Sequence, residues 1–253
     1  MTDRPRCKTG IELLDSDMGD GIPTGNIVLI SGGSGLGKTT FCTQFLFKGV
    51  EYDEKGVFFT SSENVNKLKK FQGAYNFFDE DIIKSGGVTI VDLWSISDKL
   101  GLSPEGYDVT EATLLFEVIR DIVKEIGAKR LVIDSITSLC YRLQSKDMIR
   151  DFIFKLGSSL TILNCTTLLT SEVPPMVFQF SQYEIEEFIA DGILFLSDIE
   201  REGDLIRTLQ IVKMRGTNHS RSKYVLSMSS KNGVELAPLL QAVSYTHLTL
   251  PTN

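Results

Sequence analysis

The chain has 253 residues, 42% of them hydrophobic and 23% charged, with 33 acidic against 26 basic side chains and a formal net charge of −7. Such a chain can bury one sizeable α/β core, and it shows neither a stretch apolar enough to span a bilayer nor an apolar amino-terminal run to act as a signal peptide. Its acid excess argues against a nucleic-acid binder, whose domains usually carry a basic face, so a cytoplasmic protein without membrane insertion is expected.

Cys7, Cys42, Cys140 and Cys165 are scattered, with no C-x-x-C pair, and read as reduced thiols rather than bridges or metal ligands. Residues 8–25 (KTGIELLDSDMGDGIPTG) place a short amphipathic turn of helix, with Ile11, Leu13 and Leu14, before a loop rich in glycine and proline. Asn26 to Ser31 is an aliphatic run long enough for one buried strand and too short for a helix of its own. Gly32, Gly37, Lys38 and Thr39 then fit G-x-x-x-x-G-K-[ST]. Thr40 to Val50 continues at helical spacing through Phe41, Phe45, Leu46 and Val50.

A strand, a glycine turn and a helix in that order suit a polyphosphate, which is met by backbone N–H groups that side chains at the turn would hold away. The cradle is read as Gly33, Ser34, Gly35, Leu36, Gly37, Lys38, Thr39 and Thr40. Free amides and the positive dipole end at the helix start add to it, Lys38 can reach the β and γ phosphates, and the Thr39 hydroxyl can ligate Mg²⁺.

Lys55-Gly56 breaks the helical pattern and Val57 to Thr60 reads as a second strand, with Ser61-Ser62-Glu63-Asn64 at its carboxyl end, where open α/β sheets bind ligands. Asn64 to Phe71 reads as helix, the segment to Gly87 as a polar, aromatic-rich connector, and Val88 to Val91 as a third strand. Leu100 to Asp108 is a loop, and Glu111 to Ile126 is an amphipathic helix capped by Gly127. In Arg130 to Thr137 (RLVIDSIT) three aliphatic residues deliver Asp134 to a strand end, the Walker B arrangement that holds a carboxylate near Mg²⁺. The same Asp-Ser pair could instead be a helix N-cap.

Met148 to Leu160 reads as helix and Thr161 to Thr170 as a core strand ending in Ser171-Glu172. Val173 to Tyr183 is a loop without Lys or Arg, and Ile185 to Ala190 a turn of helix. Gly192 to Ser197, Thr208 to Lys213 and Tyr224 to Ser227 read as strands, with Glu200 to Asp204 as a hairpin turn. The alternation points to a mostly parallel β-sheet flanked by helices, with antiparallel strands at the C-terminal end. Residues 1–242 are read as a single domain. Val243 to Thr252 (VSYTHLTLPT) resembles sequencing-adapter read-through, so residues 243–253 are set aside as a non-native tail and the native sequence after about Ala242 is left open.

GIPTGN before the turn, SSEN after the second strand, LVIDSIT, YEIEEFIADGILFL and IVKMRGTNHS together resemble a KaiC-type domain of the RecA-like ATPases, from about Thr9 to Leu236. The resemblance implies a RecA-like P-loop core, with ATP and Mg²⁺ held between neighbouring subunits of a homo-oligomeric ring, usually a hexamer. By position, Lys213 and Arg215 match the pair that reaches the adjacent subunit's nucleotide. Two cations at i and i+2 of a strand share one face and suit a γ-phosphate, although alone they would read as a solvated basic edge.

KaiC domains usually carry two adjacent glutamates after the second strand; here Ser62-Glu63 stands in their place. Glu63 is read as the residue that orients the attacking water, against the simpler reading of a carboxylate stabilised at a helix start. Glu187 and Phe188 stand where the clock protein's second domain carries its phosphate acceptors, so autokinase activity is not expected. The implied function is a slow Mg²⁺-dependent ATPase that signals to an unknown protein partner. A nucleotide-sensing scaffold of the archaellum-motor type is the alternative. A RadA-like recombinase is a third, opposed by the acidic balance and by the cation-free loop Val173 to Tyr183.

Overall fold

Every residue of Ile27–Gly32 is buried, and a nine-stranded sheet extends on both sides of this run. The computed structural model describes residues 4–102, 107–143, 145–174 and 179–239. It opens with a two-stranded clasp, β1 (Arg6–Cys7) against β2 (Ile22–Pro23), with α1 (Glu12–Asp17) between them in sequence. β3 (Ile27–Gly32) leads through the glycine turn into α2 (Lys38–Gly49). β4 (Gly56–Thr60), α3 (Val65–Gln72), α4 (Glu80–Lys84), β5 (Val88–Asp92) and α5 (Leu93–Lys99) follow. Next come α6 (Val109–Ile126), β6 (Arg130–Asp134), α7 (Ile136–Cys140), α8 (Lys146–Leu163) and β7 (Thr166–Glu172). The last part holds α9 (Glu186–Ile189), β8 (Gly192–Arg201), β9 (Asp204–Met214), β10 (Lys223–Ser229) and β11 (Gly233–Pro238).

Across the sheet the order is β11-β10-β9-β8-β3-β7-β6-β4-β5. The six strands from β8 to β5 are parallel, and β9, β10 and β11 complete the sheet antiparallel. This is the mixed, mostly parallel sheet expected of a RecA-like core. Because both faces are covered, the parallel strands are near-continuous hydrophobic runs whose residues feed two cores alternately. Leu29, Phe59, Ile133 and Leu169 join the core shared with α6 and α8, where Phe116 and Phe152 pack with ring centroids 4.4 Å apart. Val28, Ile30, Phe58, Val132 and Leu168 join the one filled by Phe41, Phe45 and Leu46 of α2.

Several boundaries depart from the sequence pattern. The helix expected over Met148 to Leu160 runs on to Leu163, and the strand expected from Thr161 begins at Thr166. Thr161 donates its hydroxyl to the Gly157 carbonyl within the helix, and Asn164 ends it in the left-handed conformation (φ 52°). Packing and this cap override the β preference of Thr161 and Ile162. The connector before Gly87 contains α4. α5, also absent from the pattern, is capped by the Asp92 carboxylate, which accepts from Trp94 N at 2.9 Å. β11 likewise carries no clear signal of its own. The loops Leu100 to Asp108 and Val173 to Tyr183 lie partly outside the described residues, and the tail 243–253 lies wholly outside them.

All four cysteines are buried and unbridged. Burial pushes the Cys7 thiol up to about 12. At the start of β6 the Arg130 side chain is fully buried. Its guanidinium donates to Glu54 Oε2 at 2.7 Å and to the Phe45 carbonyl at 2.6 Å, and it lies 4.6 Å from the Phe45 ring centroid. A Cβ on Gly49 would stand 2.5 Å from this guanidinium, so the glycine makes room for it. Arg130 thereby ties the end of α2 to the amino ends of β4 and β6. Arg130→Ala leaves Glu54 without its cation and the Phe45 carbonyl without its donor, and is expected to cost about 3–5 kcal/mol. Urea denaturation checks this, and an unchanged midpoint would contradict it.

Candidate functional site

β3 delivers Gly32 to the carboxyl edge of the sheet beside β8, where a Cβ would stand 2.5 Å from the Leu196 carbonyl oxygen. Gly35 and Gly37 hold left-handed backbones (φ 79° and 97°), and nothing lies within 4 Å of where a Gly35 Cβ would be. Gly37 is the N-cap of α2 and provides no side-chain cap, which leaves the first amides of the helix for a ligand. Lys38 folds back over the turn and donates to the carbonyls of Gly32 and Gly33, both at 2.8 Å. Burial pulls its pKa down, while the negative charges of Glu172 and then Asp134 push the other way.

Asp134 ends β6, two strands from β3, and is nearly buried. The Thr39 hydroxyl donates to its Oδ2 at 2.7 Å, and the hydroxyl of Thr170, on the intervening β7, donates to its Oδ1. The N-cap of α7 is Ser135, whose Oγ accepts from Ser138 N at 3.1 Å; Asp134 is therefore not the cap. A cleft of about 340 Å³ opens over this pair. Ser34, Gly35, Gly37, Lys38, Thr39 and Thr40 line it together with Asp134, as the motif predicts. Gly33 lies at its edge through the carbonyl that receives Lys38, and Leu36 turns inward to the α2 core. A larger cleft of about 810 Å³, lined by Gln44, Lys48, Phe77 and Lys231, shares no residue with it.

Other residues are placed differently from the sequence reading. At the end of β4 the cleft is lined by Ser62 and not by Glu63. Glu63 accepts the Thr60 hydroxyl through its main-chain carbonyl at 2.7 Å, and partial burial raises the pKa of its carboxyl. Glu172, Tyr75 and Met228 also line the cleft, and the motifs did not assign them. Glu172 had a signal, its place at a strand end. Met228 arrives from the β10–β11 hairpin, with its sulfur 2.6 Å from where a Gly37 Cβ would be.

Lys213 pairs with Ile193 at the amino end of β8, and Arg215 N donates to the Asp191 carbonyl beyond it. This is toward the amino edge of the sheet: Lys213 is level with Leu29, three residues or about 10 Å before Gly32, and Arg215 is level with Ile27, five residues or about 17 Å before it. The two cations do not share an open face. Lys213 is half-buried and donates to the carbonyls of Ala190 (2.7 Å) and Glu187 (3.2 Å), whereas Arg215, just past the strand, is exposed and pairs with Asp191 at 3.2 Å. Burial, then the neighbouring Arg215 charge, lowers the Lys213 pKa.

A buried carboxylate joins the two ends. Glu186 is fully buried and accepts from Ser171 Oγ, Tyr183 N and Ile185 N, each at 3.2 Å to its nearer oxygen. It fastens α9, whose carbonyls receive Lys213, to the residue after Thr170. Glu186→Ala strands the buried Ser171 hydroxyl and two part-buried amides and is expected to cost about 1–3 kcal/mol. Amide exchange at Tyr183 and Ile185 then rises roughly tenfold or more; unaltered protection there would contradict this role.

A glycine turn on a central parallel strand, running into a helix whose first threonine meets an aspartate two strands away, defines a P-loop ATPase domain of RecA-like fold. The family model described as "ATPase: KaiC" matches residues 7–241. A UPF0273 protein of Thermotoga maritima is 36% identical over 236 residues, covering 92% of this chain and 96% of the relative. The circadian clock oscillator protein KaiC of Parathermosynechococcus lividus is 31% identical over 239 residues, covering 93% of this chain but 43% of that protein. The chain thus spans less than half the length of the clock proteins it matches. A KaiC-like protein from Pyrococcus horikoshii OT3 has a similar solved structure, with a TM-score of 0.81 and 38% identity over 93% of this chain and all of that one. The chain belongs to the KaiC ATPase family. Among the described residues no helix is long and apolar enough to cross a membrane.

Proposed function

We propose that the chain is a slow Mg²⁺-dependent ATPase whose sites are completed between copies in a homo-oligomeric ring, and that the ring signals its nucleotide state to a protein partner. The observation that carries this reading is the separation of the charged groups. Lys38, Thr39 and Asp134 gather at the carboxyl edge of the sheet, while Lys213 and Arg215 lie two strands away, about 10 and 17 Å back along the strands, and are engaged by the α9 carbonyls and Asp191 rather than by their own P-loop. A cation pair set at that distance serves a second copy.

The turn suits a triphosphate: its glycines keep side chains off the backbone, and Lys38 can exchange two carbonyl partners for phosphate oxygens. Thr39 and Asp134 offer hard oxygen ligands at the helix start and would hold Mg²⁺. When bound, the ion neutralises charge on the β and γ phosphate oxygens. Lys38 adds positive charge from the same chain, Arg215 and Lys213 add it from the neighbour, and Glu63 orients water. Residues 1–242 form the functional domain in this reading, in the cytoplasm. The place of the KaiC relatives in a circadian clock oscillator supports a regulatory output.

A nucleotide-sensing scaffold with little turnover is the second reading. It is favoured by the serine that lines the cleft at position 62.

Mixing two inactive variants tests the shared site. Lys38→Ala and Arg215→Ala are each expected to lose turnover, the second by roughly 10³-fold if it acts as an arginine finger. Their mixture should recover a sizeable fraction of wild-type ATPase activity, because some interfaces then combine an intact P-loop with an intact Arg215. A mixture no more active than its parts would contradict completion between subunits.

A further inference from the structure

We infer that Asp17, at the end of α1, is a positioning residue for the arm that carries Arg215 to the neighbouring copy's nucleotide; this deepens the shared-site reading and rests on it. Between β9, which ends at Met214, and β10, which begins at Lys223, the chain runs from Arg215 to Ser222 without helix or strand. None of those residues is buried, and none has an apolar side chain to offer a core. Packing cannot fix such a segment, so its shape depends on hydrogen bonds.

Those bonds come mainly from the amino-terminal clasp. Asp17 Oδ1 accepts from Ser220 N at 3.0 Å, and its Oδ2 accepts from the Tyr224 hydroxyl at 2.6 Å, where β10 begins. Burial, then the bond to Asp17, pushes the Tyr224 hydroxyl up to about 12, which keeps it a donor. Arg6 Nη1 on β1 donates to Thr217 Oγ1 at 2.7 Å and lies 3.1 and 3.2 Å from the carbonyls of Met18 and Gly21, so it ties the same arm to the same clasp. Gln210 of β9 adds a bond to the Arg221 carbonyl at 2.7 Å.

The clasp is itself well anchored. Leu14 of α1 and Met18 just after it are fully buried in the core filled by α2. The Asp15 carboxylate accepts from Thr9 N at 2.7 Å, Thr9 Oγ1 at 2.8 Å and Gly10 N at 3.1 Å. Asp17 therefore acts from a fixed element, which places a group more precisely than a loop does. Arg215 has no such support of its own: it is exposed, pairs with Asp191 at 3.2 Å, and must exchange that partner for phosphate oxygens across the interface. Its exit from β9 is set by the turn at Gly216 (φ 73°) and by where the next residues are tied. A misplacement of about 1 Å at a reacting group can cost roughly 10²-fold in rate. Loosening the Asp17 tie should thus slow turnover on the neighbour while the P-loop of the same chain still binds ATP.

The test measures ATP turnover and Mg-ATP affinity of the full chain as Asp17→Ala, alone and mixed in equal amounts with Lys38→Ala or with Arg215→Ala. Alone, Asp17→Ala is expected to lower kcat by roughly 10- to 10²-fold while affinity stays within a few-fold. Lys38→Ala copies, whose arm is intact, should restore much of the turnover; Arg215→Ala copies, whose arm is also faulty, should restore none. Rescue by Arg215→Ala in place of Lys38→Ala would overturn the assignment and make Asp17 a support of its own P-loop. Wild-type turnover in Asp17→Ala would overturn it as well, and so would a loss that neither mixture restores, which marks a merely structural role. Tyr224→Phe removes one of the two contacts and keeps the ring, so it serves if Asp17→Ala does not fold: a smaller loss with the same rescue pattern is expected, and unchanged turnover would overturn the role. If Lys38→Ala and Arg215→Ala fail to complement each other, the shared-site reading falls and this role falls with it.

Discussion

The Asp134 carboxylate, gripped by Thr39 on one oxygen and Thr170 on the other, is the contact on which the rest of the site depends. It joins the first turn of α2 to the ends of β6 and β7, so three elements distant in sequence share one nearly buried charge. A buried carboxylate is costly unless its oxygens are satisfied, and here two hydroxyls do that work. Hydroxyl donors can be exchanged for a cation without leaving the carboxylate unpaired. The same geometry is therefore a structural joint, and it suits the metal role proposed for it.

Around that joint the sheet separates its tasks by end. The carboxyl edge of the parallel strands gathers the glycine turn, Lys38 and Asp134, while the amino edge carries Arg130 as a structural pin and Lys213 with Arg215 near the surface. Glu186 lies between them, bound to Ser171 on one side and supporting α9, which holds Lys213, on the other. Hydrogen bonds and adjacent residues of the chain thus connect Thr170, through Ser171, Glu186 and α9, to Lys213.

What the sequence made legible was local. A strand, a glycine turn and a helix are written within fifteen residues, so the turn and the helix after it could be read directly, and RLVID carried Asp134 to its strand end. Boundaries resolved by tertiary packing were not legible: Thr161 and Ile162 look like strand but finish α8, because Asn164 caps it in a left-handed turn. Side-chain direction was harder still. The i, i+2 spacing suggested that Lys213 and Arg215 share a face, yet β9 stops at Met214 and Arg215 leaves its line. At the end of β4 one residue of register decides whether Ser62 or Glu63 meets the cleft, and no local pattern settles that choice. Met228 enters from β10 and Tyr75 from the segment after α3, which Asn76 N ties to the β10–β11 turn at the Ser230 carbonyl, a contact far apart in the chain.

The central claim is that the Thr39–Asp134 contact is a Mg²⁺ site and not only a joint. Its most direct test is calorimetric titration of ATP, with and without Mg²⁺, into the wild type and Asp134→Asn, which keeps an acceptor for one threonine and an N–H donor toward the other hydroxyl but removes the charge. The account predicts that Mg²⁺ tightens ATP binding to the wild type by tenfold or more, about 1.4 kcal/mol, and that this gain is largely lost in Asp134→Asn while Mg²⁺-free binding persists. An equal gain from Mg²⁺ in both proteins would contradict it.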